Sequence, residues 1–150
     1  NNLLTATYDA DYIDYNYPTA IGLASKLTHK YALKSGTTET DNWNIGFNSD
    51  VVCAVWVGYD DNQTLKTSEY KYAQNIWYQS IEYYERNVGE EDGWYQMPDN
   101  VSAVLVEPIS GKLATDSDKK KKMMYFIKGT EPTSNEQEVF DEKVEDSYPS

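Results

Sequence analysis

Lys34-Ser35-Gly36-Thr37-Thr38-Glu39-Thr40-Asp41-Asn42-Trp43-Asn44-Ile45-Gly46-Phe47, followed across Asn48-Ser49-Asp50 by Val51-Val52-Cys53-Ala54-Val55-Trp56-Val57-Gly58-Tyr59, is the stretch that decides the fold. Residues 30–37 read as extended. Trp43, Ile45 and Phe47 alternate with Asn42, Asn44 and Gly46, the period of a half-buried strand whose apolar set is the first three. The short turn at Asn48-Ser49-Asp50 makes the next run its antiparallel partner. In that run Val51, Cys53, Val55, Val57 and Tyr59 face one way and Val52, Ala54 and Trp56 the other. Both faces are apolar, so the strand is expected to be central and covered on both sides. The fold class this predicts is α/β: a three-layer α/β/α piece with a central antiparallel sheet.

Working outward, the spacing predicts a helix over residues 69–86, with Ser68 as its N-cap and Glu69 placed to favour the helix dipole. Its apolar stripe is Ala73, Ile76, Trp77, Ile81 and Tyr84, and Asn87 and Gly89 end it. On the other side of the hairpin, Pro18 and Thr19 open a short helical pattern with Ala20, Ile21, Ala24 and Leu27 on one face. Residues 1–17 are polar and tyrosine-rich without a sustained period, a surface segment expected to continue something upstream. Toward the C-terminus come a strand at Val101 to Val106, a turn at Ser110-Gly111, a basic run Lys119 to Lys122 and an apolar stretch Met123 to Ile127. Residues 1–131 are read as one folded portion and 132–150 as an acidic tail expected to be disordered. No internal repeat is present.

Composition narrows the function classes. The chain has 150 residues, one domain's worth, with 39% hydrophobic residues and 14 Tyr, 4 Trp and 3 Phe, too aromatic for wholesale disorder. The net charge is −12. That excludes nucleic acid and anionic lipid as expected partners, since both call for clustered Lys and Arg. Six of the excess negatives fall in residues 131–150, where Glu131, Glu136, Glu138, Asp141, Glu142, Glu145 and Asp146 face Lys143 alone. The longest apolar run, Val51 to Tyr59, is far short of the ~20 residues that span a bilayer. Asn1-Asn2-Leu3-Leu4 carries no secretory pattern and no initiating Met, so a processed product or a piece of a longer chain is expected. Cys53 is the single cysteine and His29 the single histidine, so neither an internal disulfide nor a structural zinc site is expected. Cys53 reads as a small buried hydrophobe and His29 as a surface or packing residue. Asp60-Asp61-Asn62 lacks the glycine and closing glutamate of a calcium loop and reads as a turn. Lys119 to Lys122 read as a solvated loop.

Lys34-Ser35-Gly36-Thr37-Thr38 carries the chemistry. As three residues, Lys-Ser-Gly is a strand end before a turn. It is also the form of the Lys-Thr/Ser-Gly box of penicillin-recognising serine enzymes. There the glycine lets a peptide lie against the strand edge, hydroxyls hold a carboxylate and the lysine sets a positive field. The surroundings match as well. The stretch from Lys34 to Phe47, then Val55-Trp56-Val57-Gly58-Tyr59-Asp60-Asp61-Asn62, resembles the transpeptidase domain of class A penicillin-binding proteins. So do Ile76-Trp77, Pro98 before a strand, Ser110-Gly111-Lys112-Leu113-Ala114-Thr115 and Phe126-Ile127-Lys128-Gly129-Thr130-Glu131-Pro132. Order and spacing are kept over roughly residues 20–132.

The resemblance implies the C-terminal portion of a transpeptidase domain on the β-lactamase/transpeptidase fold. It implies an extracytoplasmic D,D-transpeptidase that cross-links peptidoglycan stem peptides through a serine acyl-enzyme, binds β-lactams and uses no cofactor or metal. Lys34 matches the lysine that supports proton transfer, and Ser35 the hydroxyl that binds the substrate carboxylate. Thr37 would give an oxyanion-hole N–H and a carboxylate contact. Gly36 and Thr38 complete the substrate wall, with Asp41 and Trp43 in support. The match departs at the nucleophile. No Ser-x-x-Lys and no Ser-x-Asn precedes Lys34, because Ser25 is followed by Lys26, Leu27 and Thr28. Ser68 with Lys71, and Ser117 with Lys120, have the spacing but follow the box. The expected partner is therefore an upstream half of the domain that brings the nucleophile, together with a membrane anchor; these residues themselves are expected to make no membrane contact and to be inactive alone. Two other readings stand beside this one: a D,D-carboxypeptidase or β-lactamase on the same fold, and a non-catalytic module that binds wall glycan through Tyr and Trp.

Overall fold

A computed structural model describes residues 1–89 and 93–133. They fall into two compact units, Asn1–Asp99 and a second beginning at Asn100. In the first, three strands, β1 (Ala32–Thr37), β2 (Asp41–Phe47) and β3 (Val52–Gly58), form an antiparallel sheet in the order β1-β2-β3. Gly36, Trp43 and Trp56 share one row of the register, and Lys34, Ile45 and Ala54 the row two residues along. One helix, α1 (Tyr72–Asn87), packs on β2 and β3. The mixed α/β class and the antiparallel hairpin are as the sequence predicts.

The sheet is turned over relative to the sequence expectation. On β2 the buried residues are Asn42, Asn44 and Gly46, while Trp43 and Ile45 stand 42% and 38% exposed. The reason is the helix. Trp77 of α1 is fully buried, and its indole N–H donates to the Cys53 carbonyl at 3.0 Å. A Cβ at position 46 would come within 2.2 Å of Trp77 Cζ2, so only glycine lets the indole lie on the strand. Asn42 on the same face accepts from the Ala73 N–H of the first helical turn at 3.2 Å, doing the capping work expected of Ser68. Lys71 occupies the N-cap without a side-chain bond, and the Glu69 carboxylate instead accepts from the Lys66 N–H and the Tyr59 hydroxyl. Asn44 lies between them, buried and with neither amide atom bonded to a described residue.

β3 is likewise not covered on both sides among the described residues. Val52 is 71% exposed, and β3 is an edge of the described sheet. Cys53 and Val55 face the helix and pack on the core formed by Ala20, Leu23, Tyr31, Leu33, Trp77 and Ile81. Burial pushes the Cys53 thiol upward. On α1 the stripe is Ala73, Trp77, Ile81 and, against expectation, Glu82; Ile76 is exposed. Glu82 is tolerated because Thr28 donates both its N–H and its hydroxyl to the carboxylate at 3.2 Å. The short pattern after Pro18 is a 3-10 turn, Ile21–Leu23, which buries Leu23 rather than Ala24. Residues 2–8 form another, and it packs on β1; Tyr8 donates its hydroxyl to the carbonyl of Tyr31, the residue before that strand, at 2.9 Å.

In the second unit, β4 (Val101–Val106) and β5 (Lys122–Ile127) pair antiparallel, from Val101 opposite Ile127 to Val106 opposite Lys122. Lys121 of the basic run meets Asp116 at 3.8 Å. The Glu131 carboxylate closes the ribbon by accepting from the Ser102 hydroxyl and the Gly129 N–H, both at 2.5 Å. All of the expected acidic tail except Pro132 and Thr133 lies outside the described residues.

Candidate functional site

The Lys34-Ser35-Gly36-Thr37 box is β1 itself, on an outer edge of the described sheet. Which of its groups face outward follows from the ladder. Antiparallel pairs alternate between hydrogen-bonded and non-bonded, and a residue of a non-bonded pair turns its N–H and C=O away from the partner strand. The Thr38 N–H donates to the Asp41 carbonyl at 2.9 Å. Thr37–Asn42 is then a non-bonded pair, Gly36–Trp43 a bonded one and Ser35–Asn44 a non-bonded one. The peptide groups of Ser35 and Thr37 therefore point off the open edge. A ligand strand laid along β1 meets the N–H of Thr37 and both backbone groups of Ser35.

The side chains divide by strand alternation. Lys34 and Gly36 lie on the outer face with Trp43; Ser35 and Thr37 lie on the helix face. Lys34 is exposed and bends over the edge, donating from Nζ to the Ser35 carbonyl at 2.6 Å. That places the ammonium beside the outward peptide groups. The Ser35 hydroxyl donates to Thr19 Oγ1 at 3.2 Å, and Thr37 Oγ1 accepts from Asn42 Nδ2 at 3.3 Å. Asn42 thus ties the box to the first turn of α1 with its two amide atoms.

Thr38 is not part of that edge cluster. Its hydroxyl donates to Asp41 Oδ2 at 3.1 Å and accepts from the N–H groups of Thr40 and Asp41, closing the β1–β2 turn. The other oxygen of Asp41 accepts from the Trp56 indole N–H at 2.8 Å. This bond and that from Thr40 hold the Asp41 carboxyl below the usual carboxylate range. The supporting role of Asp41 was legible as a match of pattern; its two partners were not. The sequence presents Trp56 as an apolar strand residue within the family match, not as a partner of Asp41, and Gly58, on which its ring lies, is the available signal of a close approach.

Sequence and structure comparisons place this chain among known proteins. The chain is 37% identical over 134 residues to penicillin-binding protein 2D of Bacillus subtilis, covering 89% of this chain and 19% of that protein. It is 34% identical over 113 residues to penicillin-binding protein 1A of Aquifex aeolicus, covering 73% and 15%. The crystal structure of penicillin-binding protein 1A from Haemophilus influenzae superposes with a TM-score of 0.72 at 26% identity, over 90% of this chain and 20% of that one. The chain belongs to the penicillin-binding proteins. Residues 97–139 match the family model described as penicillin-binding protein 1A, C-terminal domain, which takes in the β4–β5 ribbon. This penicillin-binding protein chain spans about a fifth of the length of the first relatives it matches.

Proposed function

We propose that this chain is the C-terminal part of a D,D-transpeptidase that cross-links peptidoglycan stem peptides through a serine acyl-enzyme, and that β1 is one wall of the active site. The observation that carries the reading is the outward set on β1: the Thr37 N–H, the Ser35 peptide groups and the Lys34 ammonium along one open edge. A stem peptide or a β-lactam laid on the edge gains main-chain hydrogen bonds as an added strand does. Gly36 keeps the edge free of a side chain between the two donor positions. The Thr37 N–H is placed to hold the oxygen of the attacked carbonyl as charge grows on it, a donor worth ~3 to 4 kcal/mol of barrier. Lys34 supplies positive field beside the substrate carboxylate and the nucleophile, and Ser35 and Thr37 supply hydroxyls at the carboxylate end.

No Ser-x-x-Lys precedes Lys34, so the nucleophile comes from another segment. The relatives extend far beyond the matched fifth, and the outer face of the sheet carries Trp43, Ile45, Val52 and Trp56 in the open. We assign the β3 edge and the Ile45 and Val52 part of that face, beyond the Gly36 row, to contact with the upstream half of the domain, which also carries the anchor that holds the protein at the outer surface of the bacterial membrane. The reading is tested by Lys34→Ala in the complete domain. Acylation by penicillin is expected to slow by about 100- to 1000-fold, the scale of removing one preorganised electrostatic group. A rate within about threefold of the parent overturns it.

A further inference from the structure

We propose that Trp43, propped by Trp56, selects the side group of the acyl donor and takes a planar or aliphatic group over Gly36; this rests on the reading of β1 as the substrate-binding edge. Gly36, Trp43 and Trp56 form one row across the sheet on its outer face. The two indoles are tilted by 47° with ring centroids 6.4 Å apart, and each is 42% exposed. Two half-exposed tryptophans would ordinarily be free to reorient. Here Trp56 is fixed three ways. Its N–H is held by Asp41 at 2.8 Å, Asp41 is held by the hydroxyls of Thr40 at 2.7 Å and Thr38 at 3.1 Å, and the ring fills the space where a Cβ of residue 58 would stand, 2.4 Å from Cζ2. Trp56 held this firmly gives the Trp43 ring a fixed neighbour, so a ligand group arriving there meets a surface that is already ordered.

Gly36 opens the way to it. A Cβ there would sit 3.6 Å from Trp43 Cβ, in ordinary van der Waals contact, so a larger side chain would stand beside Trp43 on the face that glycine leaves clear. A ligand strand along β1 presents every second side group to this outer face, about 6.6 Å apart. One of them falls in the Lys34 row, where the ammonium favours an anionic group. Its neighbour falls in the Gly36 row and lies on Trp43, where the indole face favours planar rings and C–H surfaces and disfavours a carboxylate.

The test uses the complete transpeptidase domain and two acyl donors that share the bicyclic ring and carboxylate: the phenylacetyl and formyl amides of 6-aminopenicillanic acid. The readout is the ratio of their acylation rates. A hydrophobic group in a pocket discriminates by roughly 10- to 200-fold, and a half-exposed platform belongs near the lower figure. Trp43→Ala is expected to lower the ratio by about 10-fold. Trp43→Phe, which keeps a ring on the strand, is expected to retain most of it and to show that the row still folds. A ratio unchanged in Trp43→Ala, with both rates lowered alike, overturns the selector and leaves the substrate-edge reading standing. Failure of the parent domain to be acylated by either donor overturns both.

Discussion

Gly46→Ala is the substitution that bears most directly on the inverted sheet. The added methyl carbon would stand 2.2 Å from Trp77 Cζ2, 2.7 Å from Cε2 and 2.9 Å from Leu33 Cδ1. Carbon atoms pack at about 3.5 to 4.0 Å, so the indole must retreat by roughly 1.3 Å or more. It has little room to do so. Trp77 and Leu33 are fully buried, the indole N–H is bonded to the Cys53 carbonyl, and Tyr31 packs edge-on at 5.3 Å between ring centroids. Overpacking of this kind costs about 1 to 3 kcal/mol, and with retreat blocked the upper figure applies. Replacing glycine inside a strand returns about 0.5 to 1 kcal/mol of chain entropy, leaving a net loss of about 2 kcal/mol. Urea unfolding followed by tryptophan fluorescence reads this as a lower midpoint at constant slope. In a Trp77→Leu background the same glycine substitution should cost at least about 1.5 kcal/mol less, because the clash with the indole has been removed and only that with Leu33 remains. A neutral or stabilising Gly46→Ala, or equal cost in both backgrounds, would show that the Trp43 and Ile45 face, not the Gly46 face, meets the helix.

Two further outcomes follow from the same packing. Asn42→Ala removes the acceptor of the Ala73 N–H and the donor to Thr37 Oγ1, and should destabilise by about 1 to 2 kcal/mol with helix signal lost early in the melt; full stability would mean that another group caps α1. The Tyr31 phenol is pushed well above its ordinary 10.0 by burial and by donating its proton to Glu85. Below that value both folded and unfolded chains keep the proton; above it only the unfolded chain loses it, so stability should fall from about pH 10 upward. A urea midpoint that stays constant from about pH 9 to about pH 11 would contradict this account of Tyr31.

The period-two pattern was enough to find β2 and β3, their antiparallel pairing and the turn between them, because those depend on neighbours close in sequence. It could not choose the buried face of β2. Apolarity favoured Trp43 and Ile45, but the face was decided by how near a helix more than thirty residues away could approach, and glycine with two asparagines approaches closest. Glu82 was hidden for the same reason: its partner, Thr28, is 54 residues distant. The candidate site was more legible than the core. Lys34, Ser35, Gly36 and Thr37 are consecutive, so the strand alone brings them to one edge. Thr38 is matched to the substrate wall by the family pattern around the box; in the structure its hydroxyl is engaged in the turn to β2. Which backbone groups face outward emerged only with the Thr38–Asp41 bond that sets the ladder's phase.

The central claim, a divided site whose β1 wall works on a serine carried elsewhere, is tested most directly by mass spectrometry after incubation with a reactive penicillin. The 150-residue chain is measured alone and then mixed with the upstream half of the domain. The account predicts no adduct on this chain in either sample, and an adduct on the upstream half that is lost when Lys34→Ala replaces the parent chain. A stable adduct on this chain alone would place the nucleophile among its own serines and contradict the divided site.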